Sequence, residues 1–125
     1  MASHPIVHIE IPANDPKSLG EFYAKIFDWK LELDPSFDYL QFDGQGGPGG
    51  AFVQIDANSP MHSKANSPLL YIGTDDIDGD LARIESSGGK TVAPKMEIPG
   101  IGWFAVFTDP TGNNMALYTR LQNQG

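Results

Sequence analysis

The sequence predicts an α+β fold in which a βαβββ unit occurs twice, the two modules forming a cleft or half-barrel with their helices outside. Three observations predict it. Two β-rich runs, 6–11 and 69–73, are each followed by an Asp-capped helical segment. Asp15 falls on Asp76 and His8 on Leu69 at a common shift of 61 positions, and Gly50 falls on Gly112 once one residue is inserted. Three further β-rich runs follow each helix. Such internal self-similarity is the signature of a duplicated supersecondary unit. One four-stranded sheet with one helix leaves a face uncovered, and two copies edge to edge enclose a cleft between their concave faces.

The elements follow in order. Ile6–Ile11 alternates, with Val7, Ile9 and Ile11 on one face and Ile6, His8 and Glu10 on the other. Asp15 before Pro16 is an N-cap followed by the residue best tolerated at the first helical position. Leu19, Phe22, Tyr23, Ile26 and Phe27 then recur at helical spacing over 16–27 and are expected to form helix-to-sheet core. Strands are expected at 30–33, 39–42 and 51–55, and the polar, Pro-punctuated stretch 56–68 reads as a linker. In the second half, a strand at 69–73 precedes a helix at 77–87 carrying Ile77, Leu81 and Ile84 and stopped by Gly88-Gly89. Strands at 91–93, 103–107 and 114–119 complete it. The chain is expected to be one domain over 1–125, with modules at about 6–55 and 69–120.

Composition narrows the function classes. The 125 residues carry 16 acidic and 8 basic side chains, a net charge of −8. That surface repels phosphate, so no nucleic acid and no membrane partner is expected. There is no cysteine, which removes disulfides, thiolate nucleophiles and Cys-based zinc sites, and fits a cytoplasmic location. The Gly-rich stretch 44–50 lacks the Gly-Lys-Ser/Thr ending of a phosphate loop. Asp75, Asp76, Asp78 and Asp80 miss calcium-loop spacing and are better explained by helix capping.

Residues 8–29 (HIEIPANDPKSLGEFYAKIFDW), TDDID at 74–78 and DPTGN at 109–113 resemble the vicinal oxygen chelate superfamily of glyoxalases, bleomycin-resistance proteins and dioxygenases. The likeness spans about residues 6–120, and 98–112 resembles the corresponding stretch of bacterial glyoxalase-like proteins. The resemblance implies the glyoxalase/bleomycin resistance/dioxygenase fold and a homodimer, for which Trp29 is a candidate seam. It also implies a divalent metal held by one His, Gln or Glu from each of four strands. His8 matches the first metal position and Gln54, placed by the repeat shift, the second. The third and fourth fall on Leu69 and Ala116, which offer no donor atom. No cofactor is therefore expected, with a divalent metal as the alternative.

Six residues are the candidates for ligand binding: His8, Glu10, Gln54, Tyr71, Trp103 and Tyr118. A carboxylate beside an imidazole can orient a ligand or move a proton. Tyr71 lies in phase with Leu69 and Tyr118 with Ala116, so both phenols are expected on the cleft face, with Trp103 and Phe104 as further aromatic walls. The expected function is binding of a small organic molecule, neutral or cationic, in the inter-module cleft without the family's metal. Two alternatives stay open. One is a lyase or isomerase of the glyoxalase type with a rearranged metal site on His8, Glu10 and Gln54. The other is a non-catalytic regulatory or partner-binding module.

Overall fold

A computed structural model describes residues 3–34, 39–59, 61–62 and 64–121. Parts of the predicted linker, at 60 and 63, lie outside the described residues. The chain divides into two compact units, one of Val7–Leu70 and the other running from Tyr71 onward and taking in the N-terminal residues through Ile6.

In the first unit the elements are β1 (Ile6–Ala13), α1 (Pro16–Phe27), β2 (Leu31–Asp34), β3 (Tyr39–Phe42) and β4 (Gly49–Gln54). The strands lie in the order β2-β3-β4-β1. The chain crosses over through α1, so β1 runs parallel to β4, with His8 opposite Gly49 and Glu10 opposite Ala51. The β2-β3 and β3-β4 pairs are antiparallel. Gly50 stands where its backbone meets the Ile9 carbonyl too closely for any side chain. The Asp15 side chain caps α1, accepting from the Ser18 N–H at 3.4 Å and the Ser18 hydroxyl at 2.8 Å. These bonds hold the Asp15 carboxyl below its ordinary pKa.

The helix packs on the sheet face that carries Leu31, Leu40, Phe42 and Phe52, but not along the whole stripe that its periodicity marked out. Phe22, Ile26 and Phe27 are more than half exposed, and Gly20 is buried. Gly20 explains the difference. A Cβ there would stand 2.6 Å from Leu40 and within 3.4 Å of Leu31 and Phe52, so the helix approaches on its glycine and Tyr23 instead. Tyr23 reaches Phe52 at 5.4 Å between ring centroids. Trp29, the candidate dimer seam, is stacked on Phe42 at 4.5 Å and on Tyr23 at 5.2 Å. We expect Gly20→Leu to cost about 1–3 kcal/mol by forcing this seam apart. Chemical denaturation would check it, and an unchanged midpoint would refute the close approach.

The second unit repeats the plan with β5 (Leu69–Gly73), α2 (Ile77–Ser86), β6 (Lys90–Ile98), β7 (Gly102–Thr108) and β8 (Asn114–Arg120). The order is β5-β8-β7-β6, with β5 parallel to β8 as β1 is to β4. Thus the duplication read from the sequence is a duplication of topology. Helix α2 starts at Asp76, whose side chain accepts from the Gly79 N–H at 3.0 Å. Ile77 and Leu81 from α2 pack with Ala105, Phe107 and Leu117. Strand β6 is three times the predicted length because it pairs with β7 through two register shifts, between Thr91 and Ala93 and between Ala93 and Met96. The Asp109-Pro110-Thr111-Gly112 turn closes on Asp109, which accepts from the N–H groups of Thr111, Gly112 and Asn113, with Gly112 at φ 104°.

Candidate functional site

Strand alternation divides the first unit's sheet into two chemically different faces. Phe42 and Phe52 turn to α1, and the opposite face carries His8, Glu10, Gln41 and Tyr39, paired across the strands with Gly49, Ala51, Glu32 and Asp34. Gly49 and Ala51 are the small residues beside His8 and Glu10. They leave room over the sheet for two longer side chains from elsewhere, Tyr39 of β3 and His62 of the loop after β4.

These four residues form one hydrogen-bonded cluster. The Glu10 carboxylate, only 6% exposed, accepts from His62 Nε2 at 2.7 Å through Oε1 and from the Tyr39 hydroxyl through Oε2. The Tyr39 oxygen lies 2.7 Å from His8 Nε2, and their rings stack at 13°. His8 Nε2 stands 3.9 Å from Glu10 Oε2. A buried carboxylate without partners would be costly, and the bonds from His62 and Tyr39 offset that cost. Burial pushes the His8 pKa below its ordinary value, against a smaller upward pull from Glu10, so the imidazole is neutral at pH 7.

His8 is also the member of the cluster that lines a groove of about 630 Å³, together with Lys30, Glu32, Gln41, Asp43 and Gly49. The groove falls within the usual size range of small-molecule sites. Its charged rim holds two carboxylates and one ammonium.

The other sequence candidates are placed elsewhere. Gln54 is in phase with Phe52, on the face opposite to Glu10, and its amide donates to the Asn14 carbonyl at 2.8 Å and the Ala13 carbonyl at 3.5 Å. The position in phase with Glu10 is Val53, so Gln54 does not join His8. Tyr71 and Tyr118 lie in the second unit, Tyr71 opposite Ala116 and Tyr118 opposite Phe104 and Gly73, on one sheet face as alternation predicted. Trp103 does not share that face. It packs against the α2 core with Lys95 4.9 Å from its ring centroid, whereas Phe104, the other expected wall, pairs with Tyr118 and shares its face.

The family-type metal set does not fit these residues. Leu69 and Ala116 are buried apolar side chains, and Gln54 points away from His8. Among the described residues no group of three or more His, Cys, Asp or Glu is arranged to hold a metal ion. Nor, among them, is any helix long and apolar enough to cross a membrane.

Two residues of the cluster were not marked as ligand-binding candidates by sequence reasoning. Tyr39 carried a usable signal, since alternation in β3 puts it in phase with Gln41. His62 carried none, because a loop histidine has no period to place it.

Comparison with known proteins agrees with this architecture. The anthracycline biosynthesis protein DnrV of Streptomyces peucetius is 27% identical over 124 residues, covering 89% of this chain and 45% of that protein. The chain thus spans about half the length of that relative. A glyoxylase-like domain-containing protein of Didymella fabae is 29% identical over 90% of this chain and 91% of its own. A glyoxalase/bleomycin resistance protein/dioxygenase superfamily member from Vibrio splendidus superposes with a TM-score of 0.66 at 14% identity, over 94% of this chain and 99% of that one. That likeness shows the fold predicted from the repeat. With its residues 8–118 matched by the model of the glyoxalase-like domain, the chain belongs to the glyoxalase-like domain family of the vicinal oxygen chelate superfamily.

Proposed function

We propose that this protein binds a small organic molecule on the open sheet face of the Val7–Leu70 unit, with His8 as the contact residue and without a family-type metal. The observation that carries this reading is the Tyr39–Glu10–His62 cluster holding His8 at the wall of a 630 Å³ groove. Immobilised polar groups at the edge of a concave surface are what a binding site requires. A neutral His8 and a net charge of −8 favour a neutral or cationic ligand over an anion. The relative named for anthracycline biosynthesis makes anthracycline-type compounds a sensible first panel.

Thermal-shift screening of that panel tests the reading. A compound that stabilises the wild type is expected to lose at least about tenfold in affinity with His8→Ala, near 1.4 kcal/mol, since one directed hydrogen bond is removed. Equal binding by both proteins would sink the assignment of His8. In the same assay Ni²⁺, Zn²⁺, Mn²⁺ and Fe²⁺ are expected to give no stabilisation. A micromolar, His8-dependent metal shift would overturn the metal-free part.

A further inference from the structure

Gln41 stands across the groove from His8, and its side chain has no partner in the fold. The two residues sit on β3 and β1, the strands on either side of β4, and β4 lines the groove between them with Gly49 and Gly50. Two strand spacings put these walls about 10 Å apart, room for a flat body two fused rings wide. Gln41 is half-buried, yet its carboxamide makes no hydrogen bond among the described residues. The other described glutamines differ. Gln45 donates to the Asp28 carbonyl at 3.1 Å, and Gln54 to the Asn14 carbonyl at 2.8 Å.

We propose that Gln41 is a specificity-determining residue of the groove, selecting a flat neutral ligand with an amide edge, such as a lactam, through paired hydrogen bonds to its carboxamide. The inference rests on the binding reading above and names the ligand class of that same site. A carboxamide carries an acceptor oxygen and donor hydrogens in one plane, and covering it with an apolar surface is costly. An N–H beside a C=O meets both sides at once. A carboxylic acid has that edge only when neutral, and Glu32, directly opposite Gln41 in the β2-β3 register, repels the ionised form. The charged rim agrees with this choice. Lys30, Glu32 and Asp43 are exposed and stay hydrated when a neutral ligand enters. His8 and Gln41 are the half-buried polar side chains of the groove, so they are the ones a ligand covers.

Amide spectra of the ¹⁵N-labelled chain, titrated with oxindole and with N-methyloxindole, test the proposal. Oxindole is a flat fused bicycle with a lactam edge, and methylation removes its donor. The Gln41 side-chain NH₂ signals are identified by their loss in Gln41→Glu and Gln41→Met. Oxindole is expected to move those signals saturably and to bind at least about tenfold tighter than N-methyloxindole, the scale of one unmet hydrogen bond. In Gln41→Met, which keeps the chain length, that preference is expected to fall to within about threefold while the backbone spectrum persists. Gln41→Glu keeps the shape and loses the donors, and is expected to weaken oxindole at least about tenfold. A preference that survives in both variants would overturn the role of Gln41 and leave the binding reading in place. So would Gln41 signals that stay still while oxindole moves others along the groove. No movement at millimolar oxindole overturns the ligand class, and the compound panel with His8→Ala then decides the binding reading separately.

Discussion

Phe52→Ala is expected to destabilise the protein by about 3–5 kcal/mol, the cost of emptying a fully enclosed aromatic site. Phe52 is 1% exposed and is one of the largest fully buried side chains. Its ring lies 5.3 Å from Phe42, 5.4 Å from Tyr23 and 6.4 Å from Trp29, so it joins the helix side of the sheet to α1. Little repacking is available, because Gly20 on the helix and Gly50 on the strand contribute no side chain to move into the void. Denaturant midpoints at constant slope measure the loss. Phe27→Ala on the same helix is the control: Phe27 is 52% exposed and should lose far less. Equal losses from the two would show that Phe52 is not the keystone. The effect reaches the functional face as well. Ala51, the neighbour of Phe52, is the residue paired with Glu10, so a shift of β4 moves the base on which the His8 cluster stands.

The contrast between Phe52 and Phe27 also shows what local sequence can and cannot resolve. Helix α1 was bounded correctly because Asp15, Pro16 and the apolar period are all local signals. Which side of that helix touches the sheet is a tertiary matter, decided by the close approach at Gly20 rather than by the widest apolar stripe. The same distinction governs the site. His8 and Glu10 sit on one strand two residues apart, and alternation alone places them together. Gln54 was aligned to a ligand position by the repeat shift. The parallel register that sets His8 against Gly49 fixes the phase of β4 and leaves Gln54 on the helix side. Trp103 was grouped with Tyr71 and Tyr118 by type, although it is out of phase with both of the strand positions that face Tyr118 and Ala116. Tyr39 and His62 reach the cluster from 31 and 52 residues beyond their partners, and only the folded register brings them there. Chemistry carried on one strand was legible; chemistry assembled by strand pairing was not.

Asp80→Asn should cost about 1–3 kcal/mol, with a pH signature that tells a buried acceptor from a surface charge. The first turn of α2 holds Asp80 at 7% exposure, and its carboxylate accepts from the Thr74 hydroxyl at 2.5 Å, from His4 Nε2 at 3.1 Å and from Arg83. The interactions differ in worth. Arg83 is 68% exposed, so its ion pair is screened and contributes little. The Thr74 bond is buried and also organises the start of α2, since the Thr74 hydroxyl accepts from the Asp76 N–H at 3.1 Å. His4 ties the N-terminal segment to the helix, beside the bond from the Gly73 N–H to the Pro5 carbonyl. Asparagine keeps the shape but offers an NH₂ where the carboxylate had an acceptor, which leaves one of these donors opposed. Desolvation is the largest influence on Asp80 and pushes its pKa up. The Thr74 and His4 hydrogen bonds and the nearby positive charges together outweigh it, so the net value lies below the ordinary carboxylate range. The sign follows from linkage. With the folded pKa depressed, the ionised Asp80 stabilises the fold fully above the unfolded carboxylate value, and that contribution is lost as pH falls through the folded one. The melting temperature of the wild type should therefore exceed that of Asp80→Asn by several degrees at pH 7, roughly 4 °C per kcal/mol, and the gap should close below about pH 3.8. High salt should leave most of the gap at pH 7 intact, because the buried Thr74 bond is not screened. A gap that vanishes in salt at neutral pH would instead make Asp80 nothing more than a surface partner of Arg83.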